Sequence, residues 1–278
     1  MGSSFQAGNA GMPLYLLIAA VFNVCFVYRS AKDTYVANGP LAKQPAIALL
    51  VASLSELCWV LPCMVQCAIV FFAGNDGGWS PQSKTGCDVM GFYSQFGSLC
   101  SMMATVLVGY LSYCAAHRVP LPSVRVTKLA AVGVFAFALL ISILPLTGAT
   151  GSYANSGEGF CYIDWSDEPQ AVLMLLISIS AIVASVTLYG LAARGVWEKK
   201  LDLLLLVLGF LSAWVLWPPA AVIGLADGTF PKYYMITGAI LGHAQALINP
   251  YIYGIRWRTA MLTGGSYAND VEKQLSVS

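Results

Sequence analysis

Long apolar stretches alternate with short polar connectors along nearly the whole chain. Runs of about 20 residues, the length a helix needs to cross the hydrocarbon core of a bilayer, fall near 13–29, 46–73, 89–116, 129–147, 169–193, 203–226 and 234–254. The connectors between them centre on Lys32/Asp33, Asp76, Arg118/Arg125, Asp164/Glu168, Glu198/Lys199 and Asp227/Lys232. This pattern predicts an all-α membrane protein, a seven-transmembrane helix bundle over 13–254. A short terminal segment (1–12) precedes the bundle and a short tail (255–278) follows it.

Composition agrees with the pattern. The 278 residues are 58% hydrophobic and 10% charged, where a soluble domain carries about a quarter charged residues. Mean hydropathy is +0.71. No internal repeat and no long polar segment divides the chain. The first run lacks a basic leader and a small-residue cleavage site, so a removable signal peptide is not expected. The start "MGSSFQ" has Gln6 where a myristoylation signal wants Ser or Thr.

Basic residues predict the orientation. With the N-terminus outside, the cytoplasmic connectors and tail hold Arg29, Lys32, Lys43, Arg118, Arg125, Lys128, Arg194, Lys199, Lys200, Arg256, Arg258 and Lys273, leaving only Lys84 and Lys232 outside. The opposite orientation would invert the positive-inside bias. The expectation is N-terminus extracellular, C-terminus cytoplasmic, in the plasma membrane. A net charge of +1 argues against a nucleic-acid partner.

Cys25, Cys58, Cys63, Cys67, Cys100 and Cys114 lie within apolar runs, where a small soft side chain packs. Only Cys87 and Cys161 fall on the outside face, in the oxidising compartment. A disulfide between them is the economical pairing, with two free thiols as the alternative.

Twelve of the thirteen Asp and Glu sit in connectors or tails; the exception is Glu56, in "LVASLSELCWVLP". A charge at that depth costs a few kcal/mol on insertion scales. It must be protonated, paired or facing water. The partners at similar depth are Asn23 in the first span, Ser101 in the third, and Gln245 with Asn249 in the seventh. Two readings stay open: a cluster holding water or a small cation such as sodium, and an internal polar rivet that fixes helix packing.

Proline supplies kinks by removing a backbone hydrogen bond. The sixth span carries "WVLWPPAAVIG", with Trp217 before Pro218 and Pro219; the seventh carries Asn249-Pro250-Tyr251-Ile252-Tyr253. An aromatic beside one kink and a polar kink on the next helix can convert ligand packing into helix displacement.

These residues together resemble the rhodopsin-like (class A) G-protein-coupled receptors, and among them the opsins, over roughly residues 14–258. The most specific stretch is "LPLTGATGSYANSGEGFCYIDW", similar to the opsin loop of a polar strand pair followed by Cys-x-Ile-Asp-aromatic. In opsins that loop is a lid over the retinal pocket, pinned by a disulfide whose positions Cys161 and Cys87 match. "LYG" through Tyr189, "WPPA" through Trp217 and Pro219, and "NPYIY" through Asn249, Pro250 and Tyr253 resemble the switch motifs of the fifth, sixth and seventh helices. Asn23 matches the first-helix asparagine, and Glu56 occupies the second-helix aspartate position beside Ser101.

The departures are chemical. The opsin lysine that bonds retinal falls on His243, and imidazole forms no Schiff base. The chain's eight lysines all lie in connectors, at helix ends or in the tail. Covalent retinal is therefore not expected, although a non-covalent retinoid fits the resemblance. The acid-Arg-Tyr motif of the class falls on Leu111-Ser112-Tyr113, so the arginine that engages the G protein is missing. Ala181 stands where the fifth helix expects proline. The connector from Arg194 to Asp202 is short, and "RWR" at 256–258 suggests the start of an amphipathic surface helix.

His243 is placed by this alignment in the outer half of the bundle, near Ser94, Gln95, Ser98, Trp217 and Ala239. It is either a structural histidine bonded to the third helix or a pocket residue that meets a diffusible ligand or titrates near neutrality. No phosphate loop, metal-ligand cluster or nucleophile-base pair is present, and with two histidines, His117 and His243, no enzyme is expected. The resemblance implies an opsin-like receptor for a small-molecule or lipid ligand, with a heterotrimeric G protein as partner and coupling made atypical by Ser112. A non-signalling retinoid or lipid binder and an ion- or proton-linked transporter are the rival readings.

Overall fold

Backbone groups immersed in lipid must pair within their own segment, so the apolar runs fold as helices. The computed structural model describes residues 3–35, 42–73, 83–155, 161–195, 208, 209, 211, 214–227, 241 and 244–259. Within them α1 spans Ser3–Tyr35, α2 Lys43–Ala73, α3 Lys84–Ala116, α4 Val124–Ile143 and α5 Glu168–Gly195. These five are long and apolar enough to cross a membrane. The described parts of the last two spans include α6, Trp217–Asp227, and α7, residues 244–259, with a π-helical turn over Ile252–Trp257.

Helix ends depart from the edges of the apolar runs because caps, not hydropathy, set them. Ser83 accepts from the Gly86 N–H at 3.0 Å and starts α3 at Lys84, ahead of the run read from residue 89. Ser123 does the same for α4 through the Val126 N–H. α4 stops where Pro145 opens a short 3-10 turn, closed by Gly148 at φ 71°. α1 already begins at Ser3, inside the stretch read as a terminal segment. At the other end, "RWR" does not lie out as a surface helix: the turn continues α7, with Trp257 buried in the bundle.

Between α4 and α5 the strands β1 (Tyr153–Asn155) and β2 (Cys161–Ile163) pair antiparallel, Tyr153 opposite Ile163 and Asn155 opposite Cys161. A disulfide joins Cys87 and Cys161 and clips this hairpin to the start of α3. All three β2 residues are buried. Gly91 makes the close approach feasible, since a Cβ there would come within 2.3 Å of the Tyr153 ring.

α3 is the axis, touching α2, α4, α5 and both strands. Gly97 lets the α2 backbone come close, its missing Cβ lying 2.9 Å from Trp59 Cα, the small-residue packing that membrane helices use. Around α3 sit two main apolar clusters. One, at the hairpin end, includes Leu99, Met102, Tyr162, Trp165, Met174 and Trp217. The other, at the far end, includes Val108, Leu111, Tyr189, Ile252, Tyr253 and Trp257. Leu17, Val21, Leu129, Leu140 and Val183 point outward, as a lipid-facing surface requires.

Candidate functional site

At the hairpin end the site is built mainly of rings. Trp217, at the first turn of α6, stacks on Trp165 with centroids 6.1 Å apart and planes 20° apart, and lies 5.4 Å from Tyr162. Tyr162 and Trp165 are themselves 6.0 Å apart. All three are buried. β2 delivers Tyr162 and the turn after it delivers Trp165, so the hairpin inserts two aromatic side chains onto α6. Such stacks are worth about 0.5–1.5 kcal/mol per pair beyond area burial.

Polar atoms fix where these rings stand. The Tyr162 hydroxyl pairs with Ser98 Oγ at 3.2 Å, and Ser98 Oγ also donates to the Gln95 carbonyl at 2.8 Å. Tyr153, from β1, donates to Gln95 Oε1 at 2.6 Å and lies 2.8 Å from the Ser142 carbonyl at the end of α4. Gln95 Nε2 donates to Met174 Sδ. Thr150 donates to Gln170 Oε1. Of the expected pocket residues, then, Gln95, Ser98 and Trp217 come together, engaged by the hairpin itself. Ser94 is buried on the same helix. Ala239 and His243 lie outside the described residues. Pro219 stands in the first turn of α6.

A second, hydrogen-bonded set lies deeper. Ser101 Oγ and Asn249 Nδ2 both donate to Glu56 Oε1, at 2.7 and 2.6 Å. Gln245 Nε2 donates to Ser101 Oγ at 3.1 Å. Two of the four expected partners thus bond Glu56 directly and a third, Gln245, joins through Ser101. These bonds tie α2, α3 and α7 together at one depth.

Asn23 is the exception. Its Nδ2 donates to the Ala19 and Ala246 carbonyls, both at 2.8 Å. Pro250 explains why: an α-helical Ala246 carbonyl would accept from the residue four places on, and proline has no N–H to give. The first-helix asparagine satisfies the carbonyl that the kink leaves free.

Below Glu56 the polar contacts continue toward the far end. Thr105 receives Tyr189, whose hydroxyl donates to its carbonyl at 3.1 Å, and Tyr253, whose hydroxyl donates to its Oγ1 at 3.4 Å. The two tyrosine hydroxyls are 3.5 Å apart. Trp257 Nε1 donates to Ser112 Oγ at 2.7 Å. Arg258 makes a two-pronged bond to Asp33, Nε to Oδ2 at 2.6 Å and Nη2 to Oδ1 at 3.0 Å, and this carboxylate raises the guanidinium's pKa above its ordinary value.

Sequence reasoning did not single out Tyr153, Tyr162, Trp165, Thr105 or Trp257 as site residues. Tyr162 and Trp165 stand inside the opsin-like stretch, flanking Ile163 and Asp164, and that was their only signal. The described lysines, Lys32, Lys43, Lys84 and Lys128, are all at least partly exposed. Among the described residues no three His, Cys, Asp or Glu side chains gather as a metal site.

No family model matches this chain, and no curated protein matches it by sequence. Solved structures do match: one is squid rhodopsin, with a TM-score of 0.70 at 14% identity, covering 95% of this chain and 87% of that one. The fold is accordingly the seven-helix bundle that squid rhodopsin also adopts.

Proposed function

We propose that the chain is an opsin-like receptor that takes a diffusible small-molecule or lipid ligand at its hairpin end, extracellular by the positive-inside bias, and passes the event to its cytoplasmic end. The observation that carries this reading is the stack of Tyr162 and Trp165 on Trp217, held under a hairpin pinned by the Cys87–Cys161 bond. A ligand entering there must move or extend that stack. Trp217 stands immediately before Pro218 and Pro219, where backbone hydrogen bonding is already weakened, so ring displacement tilts α6 at little cost.

The second helix to respond is α7. Its kink at Pro250 is bridged by Asn23, and its Asn249 is tied to Glu56. A shift there changes the packing of Tyr253 and Trp257 near the cytoplasmic end, a population shift between two packings. A heterotrimeric G protein is the proposed partner, coupled atypically because Ser112 replaces the arginine of the class. The ligand is apolar and aromatic-compatible, a retinoid among the candidates, bound without a Schiff base. The plasma membrane is the proposed location.

Two measurements test this. Thermal unfolding of the purified protein across a panel of retinoids and lipids is expected to rise with at least one of them, and the rise to vanish in Trp217→Ala. Retinal added to the protein is expected to give no red-shifted, borohydride-trappable pigment; such a pigment would contradict the non-covalent reading.

A further inference from the structure

The replacement of arginine by Ser112 leaves a small side chain where the resemblance expects a long one, and the structure fills the space. Trp257, from the π-helical turn of α7, is buried against α3 with its indole N–H on Ser112 Oγ at 2.7 Å. The serine hydroxyl in turn donates to the Val108 carbonyl at 2.8 Å, so both its roles are used and its orientation is fixed. The indole ring packs in the far-end cluster with Val108, Leu111, Tyr189 and Tyr253. The next residue, Arg258, is anchored to Asp33 of α1. π-helical turns are rare and concentrate at functional sites; here the turn rotates Trp257 inward while Arg258 still reaches α1.

From this we propose that Ser112 and Trp257 form the bolt that holds the far end of the bundle closed, taking the place of an arginine-based lock. Opening then consists of withdrawing the 252–257 turn from α3, with Arg258–Asp33 as the hinge-side tether that keeps the turn attached. The proposal rests on the receptor reading above for its role in signalling, but the bolt itself is a structural claim. It accounts for both departures together: a serine small enough to admit an indole, and a tryptophan in a tail segment that otherwise has no reason to be buried.

The test is hydrogen–deuterium exchange on the full-length purified chain, read at 252–259 and 108–116, with 124–143 in α4 as internal control. Ser112→Ala and Trp257→Phe each remove the bond while keeping most of the volume. Each is expected to raise exchange at 252–259 about fivefold, the scale of one buried neutral hydrogen bond, with α4 unchanged. Because both variants break one bond, the double variant is expected to exchange no faster than the faster single one. Unchanged exchange in the singles, or multiplied effects in the double, would overturn the bolt. G-protein nucleotide exchange measured on the same variants separates the two claims. Coupled hydrogen exchange with a raised basal nucleotide turnover upholds both. Coupled hydrogen exchange without it upholds the bolt and counts against the receptor reading.

Discussion

The two ends of the bundle are held together by different physics. At the hairpin end, Tyr162, Trp165 and Trp217 meet through ring faces, and a disulfide sets the hairpin's position. From Glu56 down to the far end, Glu56 with Ser101, Thr105 with Tyr253, and Ser112 with Trp257 pair through hydrogen bonds across α2, α3 and α7. Ring contacts are tolerant of direction and admit a range of shapes. Hydrogen bonds in a low dielectric are directional and costly to leave unmade, so their rearrangement is stepwise. On the receptor reading proposed above, the first end would recognise apolar molecules and the second would switch between discrete states.

Substitutions sharpen the contrast. The largest loss is expected from Trp217→Ala, about 3–5 kcal/mol for removing a buried indole, read as a lowered midpoint of thermal unfolding. A variant that melts like the parent would show that the stack does not hold the hairpin end together. Next comes Cys161→Ser, at about 2–5 kcal/mol, seen as reduced surface expression because the hairpin loses its anchor to α3. Glu56→Leu is expected to cost about 1–3 kcal/mol, since it leaves the Ser101 and Asn249 donors without an acceptor. Glu56→Gln keeps an acceptor oxygen and is expected to lose less; if Gln and Leu behave alike, the far end does not depend on that acceptor. Smallest is Ser98→Ala, about 0.5–1.5 kcal/mol from the Tyr162 hydroxyl bond, measured by the same melting curves.

Much of the far end could be read from the chain. Glu56 stood out because an acid in an apolar run demands partners, and Ser101, Gln245 and Asn249 lay at its depth. Asn23 was grouped with them for the same reason. The grouping failed because depth does not distinguish a side-chain acceptor from a backbone carbonyl freed by a proline on the helix alongside. "RWR" at 256–258 was read as the start of an amphipathic surface helix; only tertiary packing shows that the π turn carries Trp257 inward. The hairpin end was less legible. Its disulfide followed from which cysteines face outside, but a stack between a loop strand and the start of α6 joins residues some fifty positions apart with no periodicity to announce it. His243, the residue that most separates this chain from a photopigment, lies with Ala239 outside the described residues.

The account depends on the hairpin end facing outward and the Trp257 end facing the cytoplasm, across an odd number of spans. Epitope tags at the two termini test this directly. The N-terminal tag is expected to bind antibody on intact cells, and the C-terminal tag only after permeabilisation. Labelling of both tags under the same condition would contradict it.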